Sequence, residues 1–191
     1  MANEFYALMG RMRYITRWGL MRNTFSENIS EHSHQVAVLA HAMALIRRDI
    51  LQLEGPDPDR CAVAALYHDV SETLTGDMPT PIKYYNEDIK QAYKQVEKIA
   101  CNRLLGMLPE QLRQSYAPMI LEEDEAVTRM VKAADKLSAY LKCLEEQKAG
   151  NTEFESAANQ TWVAMRAMRQ PELDWFLDNC LGAYMLNLDQ L

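Results

Sequence analysis

Turn-forming residues are scarce in this chain. Glycine and proline number seven each among 191 residues, below the roughly 12% that average usage would give. So few tight turns exclude most sandwiches and barrels and favour helices. The four cysteines, Cys61, Cys101, Cys143 and Cys180, stand far apart with no C-x-x-C, which argues against a disulfide framework and for buried, reduced thiols. No long hydrophobic run is present. Val36 to Ile46 is interrupted by His41 and falls well short of the roughly 20 residues of a membrane span. The N-terminal residues lack the apolar core and cleavage site of a signal peptide. Positive charge is in deficit, with 20 Lys and Arg against 27 Asp and Glu and a net charge of -7. That balance excludes a protein that coats nucleic-acid polymers or an anionic membrane, but not one that binds a small anion through a local cation. The expectation is a soluble, cytoplasmic protein.

What is present fits one globular domain over residues 1–191: 48% hydrophobic and 25% charged residues lie within the globular norm. The pattern predicts helices over about 2–21, Glu31 to Asp49, 58–72, 87–107, a shorter one after Pro109, 123–149, 153–169 and 172–188. Thr75 to Pro81, with one Gly and two Pro, reads as a loop. In the long helix Val127, Met130, Val131, Ala134, Leu137, Leu141 and Leu144 recur at three- and four-residue steps, one face of a 3.6-residue period. No stretch of similar length alternates with period two. The fold class expected is all-α, a single-domain helical bundle.

Only four histidines occur. His32 shares a helical face with Val36, Leu39, Met43 and Ile46 and points inward. His34 and His41 share the opposite face and read as surface or packing residues. His68, Asp69 and Glu72 fall within an arc of about 100° on a continuous helix, behind the small residues Ala65 and Cys61. Such a cluster is either a metal site, which would relieve the cost of burying carboxylates, or a solvated helix end. Asp135, at the flank of the apolar stripe, is either a further ligand or an exposed partner of Lys136.

The order His32, then His68-Asp69, then Asp135 resembles the H…HD…D signature of the HD-domain metal-dependent phosphohydrolases. Arg17-Trp18, Glu27-Asn28-Ile29-Ser30-Glu31-His32-Ser33, Tyr67-His68-Asp69-Val70-Ser71-Glu72, Thr75-Gly76-Asp77-Met78-Pro79-Thr80-Pro81 and Ala134-Asp135 look like the bacterial 5′-deoxynucleotidase branch. The likeness runs on through Tyr140 to Glu146. It implies an HD-domain helical bundle with one divalent ion held by His32, His68, Asp69 and Asp135. That nitrogen–oxygen set suits Co²⁺, Mn²⁺, Zn²⁺ or Fe²⁺ better than Mg²⁺.

The resemblance further implies a deoxyribonucleoside 5′-monophosphate as substrate and a homodimer as the assembly. Glu72 would be the general acid/base, Arg17 the bidentate phosphate ligand, and Trp18 the wall that leaves no space for a ribose 2′-OH. Asp77 would accept the sugar 3′-OH, with Thr80 in the same binding loop. His32, Asp69 and Asp135 would also border the substrate, and Asp69 would count with Glu72 and Arg17 as catalytic. Arg11, Arg13 and Arg22 read as the polar face of the first helix. Two rival readings stay open. One is an HD enzyme for a cyclic nucleotide, a dinucleotide or a guanosine polyphosphate; the other is a non-catalytic helical interaction module.

Overall fold

The computed structural model describes residues 3–83 and 85–191; the expected start of the first helix at residue 2 lies outside them. Among the described residues there is no strand, only an isolated antiparallel bridge between Thr16 and Asn28. The first long helix expected over 2–21 does not form. Helix α1 is Phe5–Met9, followed by a 3-10 turn at Met12–Tyr14. Beyond it the chain extends, the Ile29 N–H donates to the Ile15 carbonyl, and the Arg17 N–H donates to the Glu27 carbonyl. Trp18 has φ +58°, a left-handed value that no α-helix accommodates.

Helix α2 is Ile29–Leu45. It begins two residues before the expected Glu31 because the Asn28 side chain caps it, accepting from the Ser30 and Glu31 N–H groups. A π-helical turn at Ile46–Ile50 ends it. Helix α3, Pro58–Tyr67, has Asp57 as its cap. The expected continuation to Glu72 fails at His68, where the chain passes through turns closed by i to i+3 bonds. His68 Nδ1–H donates to the Ala65 carbonyl at 2.7 Å, so a side chain occupies an acceptor of the last helical turn. Two short helices follow, α4 (Glu72–Thr75) and α5 (Thr80–Lys83), so the loop expected to run to Pro81 ends at Pro79. Helices α6 (Glu87–Gly106), α7 (Glu110–Ile120), α8 (Glu125–Lys148) and α9 (Glu155–Ala167) match the expected pattern closely. Helix α10, Pro171–Asn179, stops well short of residue 188 and gives way to 3-10 turns.

The main core joins α2, α3 and α8 through Val36, Ala40 and Met43, Cys61 and Ala65, and Val127, Ala134, Leu137 and Leu141, with α9 and α10 packed alongside. Alanines on all three helices let the axes approach closely, so polar groups projecting from them meet at short range. A second cluster, centred on Phe5, Val70, Leu104 and Leu108, closes the other side of the His68 turn. All four cysteines are free; Cys61 and Cys143 are buried, whereas Cys101 and Cys180 are only half-buried. No helix among the described residues is long and apolar enough to cross a membrane.

Candidate active site

The core face of α2 carries His32 inward, fully buried. The His68 turn and α8 bring the other groups to it. Asp69 Oδ2 lies 3.1 Å from His68 Nε2 and 3.6 Å from His32 Nε2, while Asp135 Oδ1 lies 3.1 Å from His32 Nε2. Ligand atoms of His32, His68 and Asp135 fall within 4.8 Å of one another. Neither Nε2 makes a well-formed hydrogen bond, although both are buried.

The opposite ring nitrogens explain that orientation. A carbonyl can only accept, so the bond to Ala65 fixes a proton on His68 Nδ1. His32 Nδ1 lies 3.2 Å from Ser138 Oγ, whose own hydroxyl donates to Gln35 Oε1 at 2.7 Å. The Ser138 oxygen therefore accepts from His32 Nδ1–H. Both rings present Nε2 to the cluster, as metal-ligating histidines held by outer partners do. Two imidazoles and two carboxylates thus meet at ion-pair distance around one point, a donor set that fits a divalent cation.

The electrostatics are those of a site short of positive charge. Burial alone would depress the His68 pKa, but the Asp69 and Asp135 carboxylates outweigh it and hold it up at about 9. Burial would raise Asp69, yet His68 and His32 bring it down to about 2. Asp135 is lowered too, as His32, His68 and Arg17 overcome its burial. Glu72 goes the other way. Burial, then repulsion from Asp69 and Asp77, pushes it up to about 9 against the pull of Arg17 and Lys83, and its Oε2 has no hydrogen-bond partner. Asp77, half-buried beyond the left-handed turn that Gly76 supplies at φ +73°, is also raised, chiefly by burial.

Arg17 closes one side of this cluster. Its Nη1 is 3.5 Å from Asp69 Oδ2 and its Nε donates to Glu27 Oε2 at 3.0 Å. Burial would lower its pKa, but four surrounding carboxylates raise it. Trp18 stacks at a tilt on Phe154, ring centroids 5.3 Å apart.

A family model described as 5′-deoxynucleotidase YfbR-like matches residues 4–184. The chain belongs to the YfbR-like 5′-deoxynucleotidase family. Relatives within it include a 5′-deoxynucleotidase of Erwinia tasmaniensis, 49% identical over 99% of this chain and 96% of that protein. The 5′-deoxynucleotidase YfbR of Escherichia coli is 46% identical over 99% and 96%. Among solved structures, an HD-domain phosphohydrolase from Listeria innocua superposes with a TM-score of 0.82 at 18% identity, over 97% of this chain and 90% of that one. A cyanophage S-2L HD phosphohydrolase, bound to dA and one catalytic Zn²⁺ ion, gives 0.67 at 19% identity over 92% and 95%. These likenesses make the helical bundle of this YfbR-like chain an HD-domain fold.

Of the residues singled out from the sequence, His32, His68, Asp69, Asp135 and Arg17 come together directly. Glu72 and Asp77 share their field, and Thr80 stands apart, exposed at the head of α5. His34 is exposed and His41 sits 3.3 Å from Asp59, both away from the cluster as expected. Sequence reasoning missed the roles of Ser138 and Glu27. Ser138 lies three residues beyond Asp135 on α8, a spacing that places it on the same face. Glu27 sits inside a motif quoted for other reasons.

Proposed function

We propose that this protein hydrolyses 2′-deoxyribonucleoside 5′-monophosphates to deoxynucleosides and inorganic phosphate, with a divalent ion held by His32, His68, Asp69 and Asp135. The observation that carries the reading is the pair of buried Nε2 atoms, each locked by a bond on the opposite nitrogen and facing two carboxylates. Relatives matched over nearly their full length carry the name 5′-deoxynucleotidase, and the phage neighbour is bound to dA and one catalytic Zn²⁺ ion. The donor set favours Co²⁺, Mn²⁺, Zn²⁺ or Fe²⁺ over Mg²⁺. When bound, such an ion polarises the phosphate and lowers the pKa of a water from about 16 to about 7.

The chain's own groups do the rest. Arg17 presents its outer nitrogens to the phosphate, since its Nε is already engaged with Glu27. Glu72, whose pKa burial and the neighbouring Asp69 and Asp77 carboxylates raise in the metal-free site, delivers a proton to O5′ as the P–O5′ bond breaks. The water forms the new P–O bond, and the proton it gives up restores Glu72, so the cycle balances. Asp69 borders the phosphate as well as the ion. The bulk of Trp18 excludes a 2′-hydroxyl, and Asp77 accepts the 3′-hydroxyl, with Thr80 at the head of α5 just beyond that loop. All 191 residues act as one phosphohydrolase domain, in the cytoplasm and as a homodimer.

Phosphate release from dAMP, AMP and cyclic AMP, after reconstitution with Mn²⁺ or Co²⁺, tests the reading. Release from dAMP well above the other two is expected. Equal rates on dAMP and AMP sink the sugar selection, and no release from any substrate with metal restored sinks the enzyme reading. Sedimentation checks the dimer, at twice the 22.0 kDa chain mass.

A further inference from the structure

One buried carboxylate has no part in the reaction just described. Glu27, at the end of the segment leading into α2, is only 7% exposed. Its Oε2 accepts two hydrogen bonds, from Arg17 Nε at 3.0 Å and from Trp18 Nε1 at 2.9 Å. Its backbone carbonyl accepts from the Arg17 N–H at 2.9 Å. The two side chains assigned to the phosphate and the sugar are consecutive, and Trp18 holds a left-handed φ of +58°. A large non-glycine residue stays in that region only where its surroundings over-determine it. Phe154 supports the indole from one side, and Glu27 holds its N–H end.

We infer that Glu27 is the specificity-determining positioning residue of this site, a single acceptor oxygen that fixes the phosphate-binding arginine and the sugar-facing tryptophan at one mutual geometry. The inference rests on the substrate reading proposed above. Bonding through Nε orients the guanidinium so that Nη1 faces Asp69, 3.5 Å away, instead of folding back on the segment. Anchoring the indole N–H removes the ring's freedom to swing aside for a 2′-hydroxyl. A rigid wall discriminates against an added hydroxyl; a mobile one makes room for it. Glu27 touches neither substrate nor ion in this scheme, so its removal should change selectivity before it changes chemistry.

The test compares kcat/KM for dAMP and AMP in the Mn²⁺-reconstituted wild type, Glu27→Ala, Glu27→Gln and Trp18→Ala, with metal content and melting recorded for each. In Glu27→Ala the preference for dAMP falls about tenfold toward that of Trp18→Ala, and KM for dAMP rises about tenfold, as loss of bonds to a charged group implies. Glu27→Gln keeps an oxygen at the same reach and holds the preference within about threefold. Equal loss of kcat/KM on both substrates in Glu27→Ala, with the preference unchanged, overturns the inference. If the alanine variant does not fold, Glu27→Asp decides: its carboxylate is set back by one methylene, and an unchanged preference in that variant overturns the inference equally. A wild type with no preference for dAMP refutes the substrate reading itself, whereas a selective wild type beside an equally selective Glu27→Ala refutes only the role of Glu27.

Discussion

Replacing Ser138 by alanine removes one oxygen atom that is not itself a proposed metal ligand, yet it should weaken metal binding. Ser138 is fully buried, and its hydroxyl is spent on Gln35, which leaves its lone pair for His32 Nδ1–H. Without that oxygen the His32 ring has two poor choices. It can keep the Nδ1 proton unsatisfied in the core, at about 1–3 kcal/mol, with Glu27 Oε1 no nearer than 4.0 Å. Otherwise it can move the proton to Nε2, toward Asp135, and lose the lone pair that faces the cluster. Either route taxes the metal-ready tautomer, and loss of such outer partners typically costs 10- to 100-fold in metal affinity, about 1.4–2.8 kcal/mol. The assay is a calorimetric titration of chelator-stripped protein with Mn²⁺, beside phosphate release at rising Mn²⁺. Half-activation should shift to 10- to 100-fold higher Mn²⁺, while turnover at saturation stays close to wild type. Gln35→Leu, which leaves the Ser138 oxygen in place, should cost less. A Ser138→Ala protein that binds Mn²⁺ as tightly as wild type would refute the tautomer argument.

Glu72→Gln should retain its metal by elemental analysis while turnover drops about 10²- to 10⁴-fold, the usual worth of a positioned acid/base; a variant that loses the ion would make Glu72 a ligand instead. Metal binding must expel the proton that His68 holds with a pKa of about 9, so apparent Mn²⁺ affinity should climb about tenfold per pH unit from pH 6.5 toward 9. An affinity flat over that range contradicts the assignment. The metal-free fold should soften over the same interval. His68 is raised above its ordinary 6.5, so its stabilisation is complete below that pH and disappears as pH climbs through about 9. Glu72, raised from 4.5 to about 9, works in the same direction from pH 4.5 upward, and melting in chelator at stepped pH reads both. Lys142→Met should destabilise the protein by about 3–5 kcal/mol in urea unfolding. It strands buried Glu146, which pairs with Lys142 and also anchors Thr24 and Asn151; a loss below about 1 kcal/mol would show that water reaches that carboxylate.

The helices of the core were legible because each buries one stripe against its neighbours, and burial writes a 3.6-residue period into the sequence. α8 shows this most plainly, with Val127, Leu137 and Leu141 all fully buried. His32 was legible for the same reason, being polar on an apolar face. The first long helix was misread because Arg17 and Trp18 follow no packing period. Their conformation is set by backbone bonds to residues 27–29 and by the Glu27 carboxylate. The helix break at His68 was hidden too, since it depends on where an imidazole sends its Nδ1 proton.

By itself, then, the sequence determined the helical class and the inward histidine, because side-chain type and local spacing act within a turn or two of chain. It offered the ligand set only through its resemblance to the HD-domain phosphohydrolases. Which nitrogen each histidine offers, why Glu72 keeps a proton where Asp69 and Asp135 do not, and what keeps Trp18 out of the helix expected there were decided only by the tertiary structure. Hydrogen bonds and charges act through space at three or four ångströms, and residues a hundred positions apart come that close only when the helices pack.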